Sequence, residues 1–191
     1  MSDRFHRQSI RLRGYDYRQA GAYYVTVCTH ERVHLFGQVT DGAMRNTPMG
    51  DIVQRYWDAI PEHMPMVVCD AFVVMPNHVH GIVVITRQPD VPPPVGAGNF
   101  RPLRGAEPDL DVPANRPVAI MVKGSLGHIM QTFKAAVSRQ AIRDGLVQRG
   151  TPIWQRGYYE RIIRDDGEWA RIAQYIQDNP AKWRKDRFNL R

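Results

Sequence analysis

The sequence predicts an α+β protein of the ferredoxin-like (RRM-like) class, an antiparallel sheet with helices on one face and an additional C-terminal helix. The main observation is the order of the segments, β-α-β-β-α-β followed by a helix, which is the order of that class. The second is size, because 191 residues with 43% hydrophobic side chains are enough to bury one core. The third is that the sequence shows no internal repeat, so residues 1–191 are expected to form a single domain.

Four segments rich in aromatic and β-branched side chains are predicted to be strands. They cover residues 22–30, 66–75, 78–86 and 152–163. The turn-forming pair Pro76-Asn77 separates the middle two segments, so these are expected to form a hairpin.

Three segments carry apolar residues at helical spacing and are predicted to be helices. They cover residues 46–63, 125–142 and 165–178. In the first helix, Thr47 is the expected N-cap, and Pro48 occupies the first helical position, where a missing N–H is tolerated. In the third, the apolar stripe ends shortly before Pro180, which is expected to stop the helix.

Residues 87–117 differ in composition from the rest of the chain. They hold eight of the 14 prolines and three glycines, with almost no periodicity. Such a segment has little apolar surface to pack, so it is expected to be a flexible insertion or lid.

The charge balance favours an acidic partner. The chain carries a net charge of +7, and 22 of its 26 basic residues are arginine, whose planar fork matches phosphate oxygens. A basic N-terminal arm over residues 1–21 is therefore expected to contact nucleic acid. The candidate residues in the arm are Arg4, Arg7, Arg11 and Arg13. An arginine-rich solvated surface would give the same composition, so charge alone does not decide the function.

The sequence also argues against a membrane or secreted protein. No stretch approaches the roughly 18 apolar residues of a membrane helix, and residues 1–13 contain no apolar signal core. Cys28 and Cys69 form no CxxC pair and are expected to be reduced, buried thiols. The expected location is the cytoplasm, with no membrane partner.

Two histidines interrupt an otherwise apolar predicted strand. His78 and His80 are two positions apart, so their side chains are expected on the same face of the sheet. Two imidazoles on one face make half of a metal site. The alternative is that each is a satisfied sheet residue, and a metal site would need a third ligand from elsewhere.

The last predicted helix offers candidates for that ligand. At 100° per residue, Tyr175 lies at the edge of the apolar stripe, with Asn179 and Glu168 close beside it. Asp178 is expected to point away. A tyrosine at such a border is often a core residue with its hydroxyl in water, so the helix alone leaves both interpretations open.

Two blocks of sequence together resemble a known family. They are "VVMPNHVHGIVVI" and "IWQRGYYERIIRDDGEWARIAQYIQDNPAKW", in that order, and the opening "RQSIRLRGYDYRQAGAYYVTVCTHERVHLFG" is similar as well. The blocks resemble the single-tyrosine HUH transposases, in the branch of the REP-associated tyrosine transposases. In this motif two histidines flank a hydrophobic residue, here His78, Val79 and His80, and a helical tyrosine shortly precedes an Asn-Pro pair, here Tyr175 before Asn179-Pro180.

The resemblance implies a reaction. Similar enzymes nick single-stranded DNA beside hairpins, and Tyr175 would attack a phosphodiester to leave a 3′-hydroxyl and a 5′-phosphotyrosine. His78 and His80 would bind a divalent ion, Mg²⁺ or Mn²⁺, with Asn179 as third ligand and Glu168 as the fallback. The partner would be single-stranded or hairpin DNA of the nucleoid. The sequence does not specify the hairpin, nor whether the protein acts as a monomer or a homodimer.

Weaker candidates for DNA contact are Arg156 and Arg161, which flank a tyrosine pair in the fourth predicted strand. Lys134 is expected to face solvent or DNA phosphate, with solvent favoured. Two other functions stay open at this point: a non-catalytic module that binds single-stranded nucleic acid, and a zinc hydrolase acting on a small phosphate ester.

Overall fold

The structure is a computed structural model that describes residues 19–86 and 124–189. The expectations for the insertion, and for Arg4, Arg7, Arg11 and Arg13 in the arm, lie outside these residues. The strands are β1 (Gly21–Cys28), β2 (Gly37–Thr40), β3 (Ala43–Asn46), β4 (Val67–Met75), β5 (His78–Ile85) and β6 (Tyr159–Ile163). The helices are α1 (Pro48–Asp58), α2 (Ile60–His63), α3 (Leu126–Arg143) and α4 (Asp166–Lys182), with short 3₁₀ turns at His30–Arg32 and Trp183–Lys185.

The main sheet has the strand order β4-β5-β1-β6, and all its neighbouring pairs are antiparallel. With β2 and β3 set aside as a separate hairpin, this is the order of a ferredoxin-like sheet, so the predicted α+β class is confirmed. The two central strands, β1 and β5, pair along their whole lengths from Gly21 opposite Ile85 to Cys28 opposite His78.

One face of this sheet forms the main core with α1 and α3. Alternate residues of β1 and β5, such as Val25 and Val79, point into it beside Trp57 and Phe133. The start of α1 is as expected, since the Thr47 side chain accepts a hydrogen bond from the Gly50 amide. In the described residues, no helix is both long enough and apolar enough to cross a membrane.

The opposite face of the sheet is covered by α4. Ala22, Tyr24 and Ile82 lie on this face and pack against the apolar stripe of α4 around Ile176. The Trp169 indole donates a hydrogen bond to Asp70 of β4 over 2.6 Å and joins the helix to that strand. Because the even-numbered residues of β5 point to this side, His78 and His80 lie beneath α4 and the segment that follows it.

Three expectations about elements were wrong or incomplete. The fourth predicted strand is shorter, since β6 begins only at Tyr159 and the preceding residues bend at Gly157, where φ is +80°. Pro180 does not stop the last helix but lies inside α4. A proline this close to the end removes one intrahelical hydrogen bond, and packing against the sheet outweighs that loss. The β2–β3 hairpin was not predicted, because its four-residue strands are mostly exposed and lack an apolar pattern.

Candidate metal centre and tyrosine

The centre of the site is the histidine pair of β5. His78 and His80 are both fully buried, with 0% exposure, and their Nε2 atoms lie 3.0 Å apart. They share a face because Val79 between them points into the opposite core. The predicted juxtaposition of the two imidazoles is therefore present.

Asn77, in the turn before β5, orients His78. Its side-chain amide group donates hydrogen bonds to the backbone carbonyls of Arg32 (3.1 Å) and Phe188 (2.8 Å). These bonds leave the Oδ1 atom as an acceptor 2.9 Å from Nδ1 of His78. The ring is thus held with Nδ1 protonated and with the Nε2 lone pair turned toward His80.

Two hydroxyl groups of β1 surround the other histidine. The register places Thr26 directly opposite His80, and Nδ1 of His80 lies 2.8 Å from the Thr26 hydroxyl and 2.7 Å from the Tyr24 hydroxyl. The Thr26 hydroxyl also donates to the Tyr24 oxygen over 3.1 Å. Both hydroxyl residues are buried.

The environment keeps the histidine pair neutral. Burial, followed by the nearby charges of Arg32 and Arg187, lowers the pKa of His78 to about 3. Burial is also the main cause that places the pKa of His80 well below its usual value, with the neighbouring His78 and Arg187 adding to the shift. Neutral imidazoles have lone pairs for a metal ion, and the two arginines make the surroundings favourable for a phosphate anion.

Candidate oxygen ligands for an ion lie in the C-terminal part of the chain. Asp186 lies so that its carboxylate and the two imidazoles offer ligand atoms within 4.8 Å of one another. Asn179 is 2% exposed, and among the described residues its buried Oδ1 atom has no hydrogen-bond partner, which is a costly arrangement for a polar atom. Two neutral nitrogens with hard oxygens are a donor set that fits a divalent cation.

Glu168, the fallback ligand, is engaged elsewhere. Its carboxylate forms an ion pair with Arg161 and accepts a hydrogen bond from the Arg164 amide over 3.0 Å. The Glu168 amide in turn donates to Asp165, the N-cap of α4. Glu168 therefore holds the start of α4 against β6. The carboxylate that lies with the two histidines is that of Asp186.

Tyr175 lies on α4 beside the pair. Its ring centroid is 5.4 Å from that of His80 and 6.4 Å from that of Tyr24, while 41% of the residue stays exposed to solvent. Asp178, on the other side of the helix, binds Lys182 and Gln174, so it points away as expected. A tyrosine that contacts His80 and is still exposed to solvent can meet a substrate that the buried histidines cannot reach.

Of the other two neighbouring tyrosines, only Tyr159 shares this face of the sheet. Tyr159 pairs with Thr26 across β1 and β6, contacts the ring of Tyr24 at 6.2 Å and is 38% exposed. Tyr158 packs against the main core instead. Of these two tyrosines, Tyr159 is therefore the one that faces the site.

The basic candidates have different surroundings. Arg161 lies opposite Tyr24, and its guanidinium forms an ion pair with Glu168. Arg156 is exposed in the bend before β6 and is not on a strand as expected. Lys134 does not simply face solvent. Its ammonium group donates to the carbonyls of Gln155 (2.7 Å) and Gly157 (3.0 Å), and burial lowers the pKa of Lys134 to about 8. Lys134 thus holds the bend that presents Arg156.

Residues 183–189, the C-terminal segment, close the site on the His78 side. The ring of Phe188 lies 4.6 Å from that of His78 and is itself flanked by the guanidinium groups of Arg32 (4.9 Å) and Arg187 (4.7 Å). Sequence reasoning missed this segment, together with Asp186 and the hydroxyls of Tyr24 and Thr26. For the Tyr24 and Thr26 hydroxyls, the only sequence signal was the alternation of polar side chains within the apolar strand predicted over residues 22–30. No local sequence pattern indicates that residues 183–189 belong to the site.

The fold of this chain is found in a solved structure of known class. No protein-family model matches the chain. A solved structure of a REP-associated tyrosine transposase bound to a REP hairpin aligns with a TM-score of 0.51 and 18% identity, over 92% of this chain and 74% of that one. The chain therefore has the fold of the REP-associated tyrosine transposases, as its motifs indicated.

A relative by sequence is also known. An uncharacterised protein of Haemophilus influenzae is 37% identical over 186 residues, which cover 96% of this chain and 93% of the relative. The chain belongs to the same family as this protein. A structure from Deinococcus radiodurans R1 aligns with a TM-score of only 0.41 at 18% identity, over 89% of this chain and 97% of that one.

Proposed function

We propose that this protein nicks single-stranded DNA beside a hairpin and transfers the cut strand through a covalent tyrosine intermediate. The observation that carries the proposal is the contact between the half-exposed Tyr175 and His80, one member of a buried, neutral histidine pair. The transposase fold and the basic composition support it, and the hairpin follows from the ligand of the structural neighbour. Such an enzyme would work in the cytoplasm, at the nucleoid.

Tyr175 would be the nucleophile. Its hydroxyl oxygen forms a bond to the phosphorus as the bond from phosphorus to the 3′-oxygen breaks. The tyrosine loses its proton and the leaving 3′-oxygen gains one, so the products are a 3′-hydroxyl and a 5′-phosphotyrosine. Because the ester bond is conserved in the intermediate, attack by another 3′-hydroxyl can rejoin the strand without ATP.

His78 and His80 would hold a divalent ion, Mg²⁺ or Mn²⁺, with oxygens from Asn179 and Asp186. When bound, the ion would supply Lewis-acid stabilisation of the scissile phosphate. The protein contributes the orientation of the imidazoles, the exclusion of water from their buried side and the positive charge of Arg32. Arg156, exposed in the bend held by Lys134, would contact the DNA backbone outside the site.

The test is the formation of a denaturation-resistant adduct with a hairpin oligonucleotide in the presence of Mn²⁺. Tyr175→Phe should abolish the adduct and keep the fold and the DNA affinity, because the change removes one hydroxyl from a solvent-facing position. Tyr159→Phe is the matched control, since Tyr159 is similarly exposed on the same face. It should form the adduct at a normal rate.

Two results would contradict the proposal. An adduct that peptide mass spectrometry maps to Tyr159 would transfer the role of nucleophile to that residue. DNA binding by the wild-type protein with no adduct under any divalent ion would favour the non-catalytic nucleic-acid-binding module instead.

A further inference from the structure

We propose that Tyr24 and Thr26 are positioning residues that let His80 change tautomer when a divalent ion binds the histidine pair. This inference rests on the proposed function, because it concerns the ion of that reaction. The two histidines differ in their hydrogen-bond partners. His78 lies beside a fixed acceptor, whereas His80 lies beside two hydroxyl groups.

The tautomer of His78 is fixed by Asn77. Since the amide nitrogen of Asn77 donates to two backbone carbonyls, only its oxygen can face the ring, and that oxygen can only accept. Nδ1 of His78 must therefore carry the proton, and its Nε2 presents a lone pair.

The contact between the two rings then determines where His80 carries its proton. An Nε2–Nε2 separation of 3.0 Å is a hydrogen-bond distance, and such a contact needs one proton between the nitrogens. His78 does not supply it, so Nε2 of His80 does. Nδ1 of His80 is then an acceptor, and the chain of bonds from the Thr26 hydroxyl to the Tyr24 hydroxyl and on to Nδ1, at 3.1 and 2.7 Å, suits that arrangement.

A divalent ion held by the pair needs both Nε2 lone pairs, so His80 must then carry its proton on Nδ1. Hydroxyl groups can serve both arrangements, because each can donate or accept. When Nδ1 becomes the donor, the Tyr24 oxygen accepts and the bond between the two hydroxyls reverses. The ring of His80 holds one proton before and after, so it neither gains nor loses a proton overall.

The tautomers can be observed directly in the DNA-free protein. We expect ¹⁵N–¹H correlation spectra of the imidazoles to show His80 protonated at Nε2 without an ion and at Nδ1 with Mg²⁺. His78 should be protonated at Nδ1 in both conditions. A His80→Gln variant assigns the signals.

The role of the hydroxyls is tested with Tyr24→Phe, Thr26→Val and the double variant. Loss of an outer partner of a metal-binding histidine typically weakens metal affinity by about 10–100-fold. We expect that range for the double variant in calorimetric titrations with Mn²⁺, smaller losses for each single change and normal affinity for Thr26→Ser. Tyr56→Phe is the matched control, because the Tyr56 hydroxyl also donates to a side chain, that of Gln140 over 3.0 Å, but on the opposite face of the sheet.

The outcomes separate this inference from the proposed function. If the wild-type protein binds the ion but His80 keeps one tautomer, or if both single variants bind the ion as tightly as Tyr56→Phe, the inference is wrong and the metal site stands. If the wild-type protein binds neither Mg²⁺ nor Mn²⁺, both proposals fail together. The spectra of the wild-type protein decide the point even where the double variant does not fold.

Discussion

Lowering the pH should destabilise this protein in a window set by the buried histidines. In the folded protein, burial and nearby arginines lower the pKa of His78 to about 3 and place that of His80 well below its usual value. In the unfolded chain each should titrate near its ordinary pKa of about 6.5. Below that pH the unfolded state binds more protons than the folded state. The contribution of the two histidines to the free energy of unfolding is therefore fully present above about pH 6.5 and is lost as the pH falls.

The size of the effect follows from the displacement of the pKa. At about pH 5, protonation of His78 in the unfolded chain alone costs about 2 kcal/mol of stability, and the lowered pKa of His80 adds a loss in the same direction. The free energy of unfolding of a domain is roughly 5–15 kcal/mol, so this loss is a substantial part of it. Carboxyl groups ordinarily titrate below this window, and the lowered pKa of Lys134 acts only above it.

The measurement is urea unfolding at several values between about pH 5 and pH 7.5, with a chelator present. The comparison is a variant with both His78→Gln and His80→Gln, which keeps polar side chains but removes the titrating rings. We expect the free energy of unfolding of this variant to depend far less on pH than that of the wild-type protein. Equal pH dependence in the two proteins would refute the reasoning, because the protons would then bind elsewhere.

Three further outcomes are expected. His78→Ala or His80→Ala should each abolish metal-dependent cleavage and leave most oligonucleotide binding, because affinity is spread over many basic contacts. Equal loss of binding in gel-shift assays and of cleavage would mean that the two histidines have a structural role. If roughly four phosphates are neutralised, the logarithm of the binding constant should fall with that of salt at a slope of about −3. Replacing the arginines of residues 1–13 should make the slope shallower, and an unchanged slope would exclude the arm from the interface. Deleting residues 96–115 should move the melting temperature by only a few degrees, roughly, as calorimetry can show; global unfolding would make the insertion structural.

The sequence predicted those parts of the site that depend on local periodicity. The shared face of His78 and His80 follows from alternation along a strand, and the edge position of Tyr175 follows from helical spacing. Both are set within one element, so neighbours in the chain suffice to locate them.

The other parts depend on contacts between distant segments. The hydroxyls of Tyr24 and Thr26 reach His80 only through the register of β1 against β5, which no single-strand pattern specifies. Asp186 and Phe188 lie in a segment whose path depends on α4 continuing through Pro180, and sheet packing overrides the local preference there. The ion pair that occupies Glu168 likewise joins two elements and could not be read from helix geometry.

The great distance along the chain between the two halves of the site has a consequence for the order of events in folding. Tyr175 follows His80 at a distance of 95 residues along the sequence, with α3 and β6 between them. Bringing such distant segments together costs conformational entropy before the contacts between them can stabilise the fold. These contacts therefore tend to form late. On the ribosome, β5 emerges long before α4 exists. Under the proposed mechanism, a nascent or half-folded chain therefore has the histidines without the nucleophile, and the ability to cut DNA arrives only when folding is complete.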